Sequence, residues 1–239
     1  GTYTIVDTVA NLTTAKTFTG VDAASVTAEV QDGAKDLTSV SLNSDVTHID
    51  LKGVGSVVLD KADVTGRTIS DSSGGGSYSI REAAANLTAI TVTGVGASDI
   101  IAVVQSGDKT ISDTTFAAAV TKVDLAGLTG VVMDSNNAAG NEIVDTVGSG
   151  TYTIVDTVAN LTTGVTFSGV NAASVTAQVQ GGATDLTGVS LNGDVTHIDL
   201  NNQTNVALDS DNAHNRTISD TGGSGTYTIV DTVANLTTA

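Results

Sequence analysis

Cysteine, proline and tryptophan are absent from this chain of 239 residues. The lack of cysteine excludes a disulfide framework, a thiolate-held zinc and any thiol nucleophile. Aromatic residues are scarce, and Phe18, Phe116 and Phe167 are the only phenylalanines. A core left to Val, Ile, Leu and Ala suits narrow, regular layers better than a bulky globular interior. Basic residues number 9 and stand singly against 26 acidic ones, for a net charge of −17. That balance leaves no electrostatic footprint for nucleic acid or for an anionic membrane. No apolar run reaches the length of a membrane span, so membrane insertion is not expected, and no signal peptide is recognisable. The chain starts without methionine and inside a repeated motif, which reads as a segment of a longer protein.

Glutamate is also rare. It occurs only at Glu29, Glu82 and Glu142, so the acidity is almost entirely aspartate. Acid on helix surfaces would use glutamate freely, whereas aspartate favours turns, caps and calcium.

What the chain does have is repetition. Residues 1–15 read Gly-Thr-Tyr-Thr-Ile-Val-Asp-Thr-Val-Ala-Asn-Leu-Thr-Thr-Ala, and residues 225–239 are the same letters. Nearly the same string starts at Gly150 and a diverged one at Gly76, giving spacings of 75, 74 and 75 residues. The boundaries are therefore repeat one at 1–75, a diverged repeat two at 76–149, repeat three at 150–224, and the start of a fourth at 225–239. Each unit is expected to bury its apolar face against the next, in one continuous solenoid.

Within a repeat, strands are expected at 3–7, 17–21, 36–42, 46–51, 56–60 and 67–71. A single helical turn is expected at 8–12, capped by Asp7. Residues 22–31 carry Val26 and Val30 four apart with good helix formers between them, which predicts a short helix stopped at Asp32-Gly33. The element Ile-x-Asp-(Ser/Thr) starts at Ile5, Ile69, Ile111, Ile143, Ile154, Ile218 and Ile229. Isoleucine there fills an interior layer and aspartate marks the strand end. The fold expected is all-β with short helical turns, a right-handed parallel β-solenoid built from repeats of about 75 residues. A strand-and-helix solenoid of the leucine-rich kind and a string of separate β-sandwiches are the alternatives.

The residues best suited to metal form three Asx-rich turns. They are Asp60 and Asp63 in repeat one, Asp134, Asn136 and Asn137 in repeat two, and Asp209, Asp211 and Asn212 in repeat three. Closely spaced Asp and Asn can present several hard oxygens to calcium, the one cofactor the chain points to. The EF-hand spacing is absent, and the competing reading is a turn that bonds its own backbone. His48 and His197 align with Lys122, which fits a solvent-facing strand position rather than a base or a ligand. Asn11, Asn86, Asn160 and Asn235 recur where their amides could bridge one coil to the next. The Gly-rich turns after Asp71, Asp145 and Asp220 lack the lysine of a phosphate loop. No serine–histidine–acid set is identifiable, and the chain is not expected to be an enzyme.

The Tyr-Thr-Ile-x-Asp-Thr-x-Ala-Asn-Leu element resembles repeats of very large, acidic, cysteine-free bacterial surface proteins of the adhesin-like, filament-forming or sheath-forming kind. The tandem glycine-rich nonapeptide of calcium-binding toxin repeats is not present, so calcium-driven folding does not carry over. The resemblance implies an extracellular or cell-surface location, and an architectural role in a filament, stalk or surface layer. Its partners would be other copies of itself, head-to-tail or lateral. The alternative is an adhesin module that binds a surface glycan or protein on a solenoid face. Repeat two, with its distinct Arg81, Ile100, Ile101, Lys109 and Phe116, is then the region to watch for exposed apolar groups.

Overall fold

A computed structural model describes residues 3–16, 18 and 23–236. It divides into two compact units, Gly1–Val103 with Phe116–Val123, and Val104–Thr115 with Asp124–Ala239. Each unit is a parallel β-solenoid with a few short helices.

In the first unit one sheet runs Thr4–Thr8, Ser25–Glu29, His48–Asp50, Thr68–Ser70 and Thr93–Gly94, each strand parallel to the last. A second sheet holds Val57–Leu59, Tyr78–Ala83 and Asp99–Val103, again parallel. The first three strands follow one another in the first sheet, and from His48–Asp50 onward the chain alternates between the two, each return to a sheet closing a coil. In the second unit the first sheet runs Val131–Met133, Tyr152–Thr157, Ser174–Gln178, His197–Asp199 and Thr217–Ser219. Two further parallel pairs join Val206–Leu208 to Tyr227–Ile229 and Glu142–Val144 to Ser168–Gly169.

Strands are short because each coil must cross the sheets and turn back within about 21 residues. Inward positions are Val, Ile, Leu and Ala, stacked in register from coil to coil. Ile49 pairs with Ile69 and Ala28 with Ile49, all essentially without solvent contact. Such ladders explain why β-branched residues dominate: they fill a narrow pleated layer with little rotamer freedom to lose.

The coil and the sequence repeat are out of step. Hydrogen-bonded neighbours on adjacent coils are 21 residues apart at Thr47 and Val26, and likewise at Thr196 and Val175. A repeat of 75 residues therefore spans about three and a half coils. The half coil moves equivalent segments to the opposite sheet. In the first unit Thr4–Thr8 lies in the first sheet and its counterpart Tyr78–Ala83 in the second. In the second unit Tyr152–Thr157 and its counterpart Tyr227–Ile229 are likewise in different sheets.

Several local expectations change. The helix expected at 22–31 is the strand Ser25–Glu29. Val26, Ala28 and Val30 are all buried, a period of two that a spacing of four also satisfies. The strand expected at 36–42 is a turn, in which the Asp36 carboxylate accepts from the Thr38 amide and hydroxyl at 3.1 and 2.8 Å. The turn at Val9–Asn11 is a single 3-10 turn led by Thr8, with no side-chain cap. The strand expected at 17–21 lies outside the described residues, apart from Phe18. Its counterparts are the two-residue strands Thr93–Gly94 and Ser168–Gly169. Glycine is required there: Gly94 and Gly169 have φ of +93° and +92°, and a Cβ would meet the Ile69 and Ile143 carbonyl oxygens at 2.0 Å.

Candidate functional site

The three Asx-rich turns each become a short helix, Lys61–Val64, Ser135–Ala139 and Ser210–Ala213, led by Asp60, Asp134 and Asp209. The leading carboxylate accepts the amide three residues on, at 2.8 Å from Asp63, 2.7 Å from Asn137 and 2.8 Å from Asn212. That is N-capping, which satisfies a donor the helix cannot. Asn137 and Asn212 are buried and use their amide nitrogens. Asn137 donates to the Ile111 and Thr114 carbonyls at 2.8 and 2.9 Å, and Asn212 to those of Leu186 and Val189, both at 2.8 Å. Asn136 and Asp211 are exposed on the outer side of the turn. Asp60, Asp63, Asp134 and Asp209 thus serve as helix caps and Asn137 and Asn212 as coil-to-coil donors, each within its own turn. Among the described residues no group of three or more His, Cys, Asp or Glu could hold a metal ion.

In repeat one the place of Asn137 and Asn212 is taken by Asp63, which is 2% exposed. Its carboxylate accepts from the Asp60 amide at 3.3 Å, completing a reciprocal capping box. Burial, and then the neighbouring Asp60 charge, push the Asp63 carboxyl up to about 7.

Three further sets of acids recur, and their role was not legible from spacing alone. Asp50, Asp124 and Asp199 are buried at strand ends. Asp50 accepts the amides of Lys52 and Ser72 and the Ser72 hydroxyl, at 3.1, 2.9 and 2.6 Å. Asp124 does the same for Ala126 and Thr146, at 2.9, 3.1 and 2.8 Å. Asp199 does it for Asn201 and Thr221. Each bond to Ser72, Thr146 or Thr221 reaches the next coil, 22 residues on.

Asp71, Asp145 and Asp220 fold the Gly-rich turns. Asp71 accepts the amides of Gly53 and Gly76, both at 2.7 Å, and Asp145 those of Gly127 and Gly150 at 2.7 and 2.5 Å. The third set is Asp7, Glu82, Asp156 and Asp231, and it corrects the asparagine ladder. Asn11, Asn86, Asn160 and Asn235 donate to the acid four residues earlier, within their own coil. The acid makes the step to the neighbouring coil: Glu82 to the Lys61 amide, Asp156 to Ser135, and Asp231 to Ser210. A carboxylate can accept from several donors at once, while an amide nitrogen has its two hydrogens fixed in a plane.

These bonds set a pH dependence. Burial alone would raise the Asp50, Asp156 and Asp199 carboxyls. The hydroxyl and amide donors of Ser72, Ser135 and Thr221 outweigh it and hold all three below the ordinary 3.8. Asp145 and Asp220 are held down chiefly by the amides of Gly150 and Asn202. A depressed carboxyl contributes stability above its unfolded value and loses it as pH falls through the folded one. The β-sheet signal in circular dichroism should therefore hold near neutrality and collapse only below about pH 4. Loss of signal already at pH 5 to 6 would contradict the role given to these acids.

The other candidates are unremarkable chemically. His48 and His197 are half-buried, with Nδ1 hydrogen-bonded to the Thr47 and Thr196 hydroxyls at 2.9 and 2.8 Å. Arg67 and Arg216 bond backbone carbonyls, Arg67 those of Asn43, Val46, Ala62 and Asp63. In repeat two Ile100 is buried, and Ile101 and Phe116 are half-buried. Large exposed apolar groups gather instead at Tyr227, Ile229, Val230, Val233 and Leu236. A cleft of about 350 Å³ in the second unit is lined by Tyr152, Phe167, Asn171, Asp194 and Thr196 among others. Among the described residues no helix is long and apolar enough to cross a membrane. Comparison with protein-family models, curated proteins and solved structures finds no match for this chain.

Proposed function

We propose that this chain is an architectural segment of a bacterial extracellular filament, stalk or surface layer, built as a right-handed solenoid from its 75-residue repeat. The observation that carries the reading is where the aspartates go. The acids of three recurring sets bind backbone amides and hydroxyls, many of them on the neighbouring coil. A residue type repeated for that purpose is material for stacking coils, and the reading names no reaction. The negative charge that remains outward keeps such bodies soluble and apart, with divalent cations as the means of bridging them. Its partners in this reading are other copies of itself.

Folding in this reading does not wait on calcium, because the caps at Asp60, Asp134 and Asp209 already have amide donors. Electron microscopy of the purified chain, with calcium and with chelator, tests it. Rods or fibres that persist in chelator are expected. Folding that appears only on adding calcium would overturn this account of the turns.

A second reading, an adhesin module, draws on the cleft beside Tyr152. Phe167 offers an aromatic face, and Asn171 and Asp194 offer hydrogen-bonding groups, the combination that holds sugar rings. Discrete monomers that retain a glycan on an array, and lose it on Phe167→Ala, would favour that reading.

A further inference from the structure

The recurring acids of the second unit spend their carboxylates on amides and hydroxyls. Asp194 does not. Its amide is held by the Asn192 side-chain oxygen at 2.8 Å, but its carboxylate has no partner among the described residues. It lines the cleft of about 350 Å³ together with Phe167, Asn171 and Ser174. The side chains of Asn171 and Ser174 are likewise without hydrogen-bond partners among the described residues. The cleft is at the small end of the range for ligand pockets, about 300–1,000 Å³. The buried Tyr152 also lines it and donates its hydroxyl to the Val170 carbonyl at 2.7 Å. That hydroxyl is pushed up to about 12, by burial first and then by the Asp194 charge.

Three of these residues change together from repeat to repeat. Phe167, Asn171 and Asp194 correspond to Phe18, Asp22 and Asp45 in repeat one, and to Val92, Gly96 and Ala119 in repeat two. The frame does not change with them. Gly94 keeps the positive φ of Gly169, and Tyr78 keeps the bond to a valine carbonyl that Tyr152 makes. Repeat two has thus lost the aromatic face and both polar groups without altering the backbone that carried them. It also supplies a cation of its own. Asp99 stands at the place of Ser174, and Lys122, at the place of His197, reaches its carboxylate at 3.4 Å. The second unit supplies none to Asp194. Its lysine and arginine, Lys109 and Arg216, are committed to backbone carbonyls.

We infer that this cleft takes a sugar ring that carries a free amine. The ammonium pairs with the Asp194 carboxylate, the ring lies on Phe167, and ring hydroxyls bond Asn171 and Ser174. An ammonium is attracted both to a carboxylate and to an aromatic face, so the two residues that come and go together recognise the same group. A bound peptide strand fits less well. The amides of Val170, Ala173 and Val175 are already taken, so the main chain here offers no edge to add a strand to. Recognition falls to side chains, and a lysine side chain would leave Asn171 and Ser174 without hydroxyls to bond. The inference rests on the adhesin reading and narrows its ligand.

The test is titration of the intact chain, followed by ligand-observed NMR, with glucosamine, N-acetylglucosamine and a glycine-lysine-glycine tripeptide. Glucosamine should bind most tightly. Asp194→Asn, at an exposed position, should weaken it by about tenfold, the scale of one hydrogen bond to a charged group. Phe167→Ala should weaken it too, with the circular dichroism of both variants unchanged. Glucosamine binding undiminished by Asp194→Asn would mean that the overall negative charge draws the amine, and would overturn the inference. A tripeptide bound as tightly as glucosamine would overturn the sugar. Preference for N-acetylglucosamine would overturn the amine and leave the adhesin reading standing. Binding of none of the three would overturn the inference, and a glycan array that also stays blank would remove the adhesin reading with it.

Discussion

Asp124→Ala should destabilise the protein by about 3–5 kcal/mol, read as a fall in the urea midpoint at unchanged slope. Asp124 ends the strand Lys122–Asp124 and is fully buried. Its carboxylate holds the Ala126 amide, the Thr146 amide and the Thr146 hydroxyl. Alanine strips all three donors of their acceptor, at a carboxylate that is itself fully buried while Ala126 is half-buried and Thr146 reaches solvent. A hydrogen bond to a charged group contributes about 1.5–3 kcal/mol, and donors within reach of water recover part of that when the acceptor is lost. The loss is a large fraction of a typical folding free energy of about 5–15 kcal/mol. Asp124→Asn keeps one oxygen and the shape, and should lose less. Thr146→Val removes only the hydroxyl and should cost about 1 kcal/mol. In the double variant with Asp124→Ala the two losses should not add, because they share a bond. A stability within error of the parent for Asp124→Ala would show that the carboxylate is a surface ornament and not a coil-to-coil tie.

Asp63→Asn should act in the opposite direction, stabilising the protein by about 2–3 kcal/mol at pH 8, with the gain vanishing toward pH 4. The Asp63 carboxyl is raised from 3.8 to about 7 by burial and by Asp60, with Arg67 pulling the other way. Below the unfolded value both states are protonated and nothing is lost. Between pH 4 and 7 the unfolded chain ionises while the folded one keeps its proton, so stability falls with rising pH. Above about 7 the folded group is ionised too, and the loss levels off. Asparagine cannot ionise. It also supplies the donors that Asn212 turns on Leu186 and Val189, whose counterparts in repeat one are Leu37 and Val40. The measurement is unfolding free energy against pH for both chains. Parallel curves, with no convergence at acid pH, would mean that Asp63 does not titrate in the folded state.

The two predictions locate what sequence can and cannot convey. The asparagines at 137 and 212 and the aspartate at 63 stood out by spacing, as did their leading acids. Spacing showed closely set oxygens and could not show which atoms face inward. In the fold the asparagines turn their nitrogens to carbonyls 23 and 26 residues earlier. No local pattern carries a distance of that kind. Asp50, inside the strand expected at 46–51, and its counterparts Asp124 and Asp199 were not singled out by the sequence. That they tie adjacent coils depends on a partner 22 residues away. Residues 22–31 failed for a different reason. Valines four apart satisfy both a helix and a strand, and alanine tilted the choice toward helix. Pairing with Thr4–Thr8 and His48–Asp50 decided for strand, because a buried backbone must find its hydrogen bonds somewhere.

The sequence by itself determined the class of body. The echo of Ile-x-Asp, the β-branched layers and the scarcity of aromatics favoured stacked parallel strands over the leucine-rich kind of solenoid and the separate β-sandwiches that the same period would allow. It also determined that charge would be aspartate and that no thiol or disulfide chemistry enters. Only the tertiary structure decided the size of a coil, and with it which letters become neighbours. A 75-residue repeat says nothing of a 21-residue turn, since the two lengths have different origins. The first comes from how the sequence was duplicated. The second comes from the residues needed to cross two narrow sheets and turn their corners, which places equivalent segments on opposite sheets and gives each aspartate its amides.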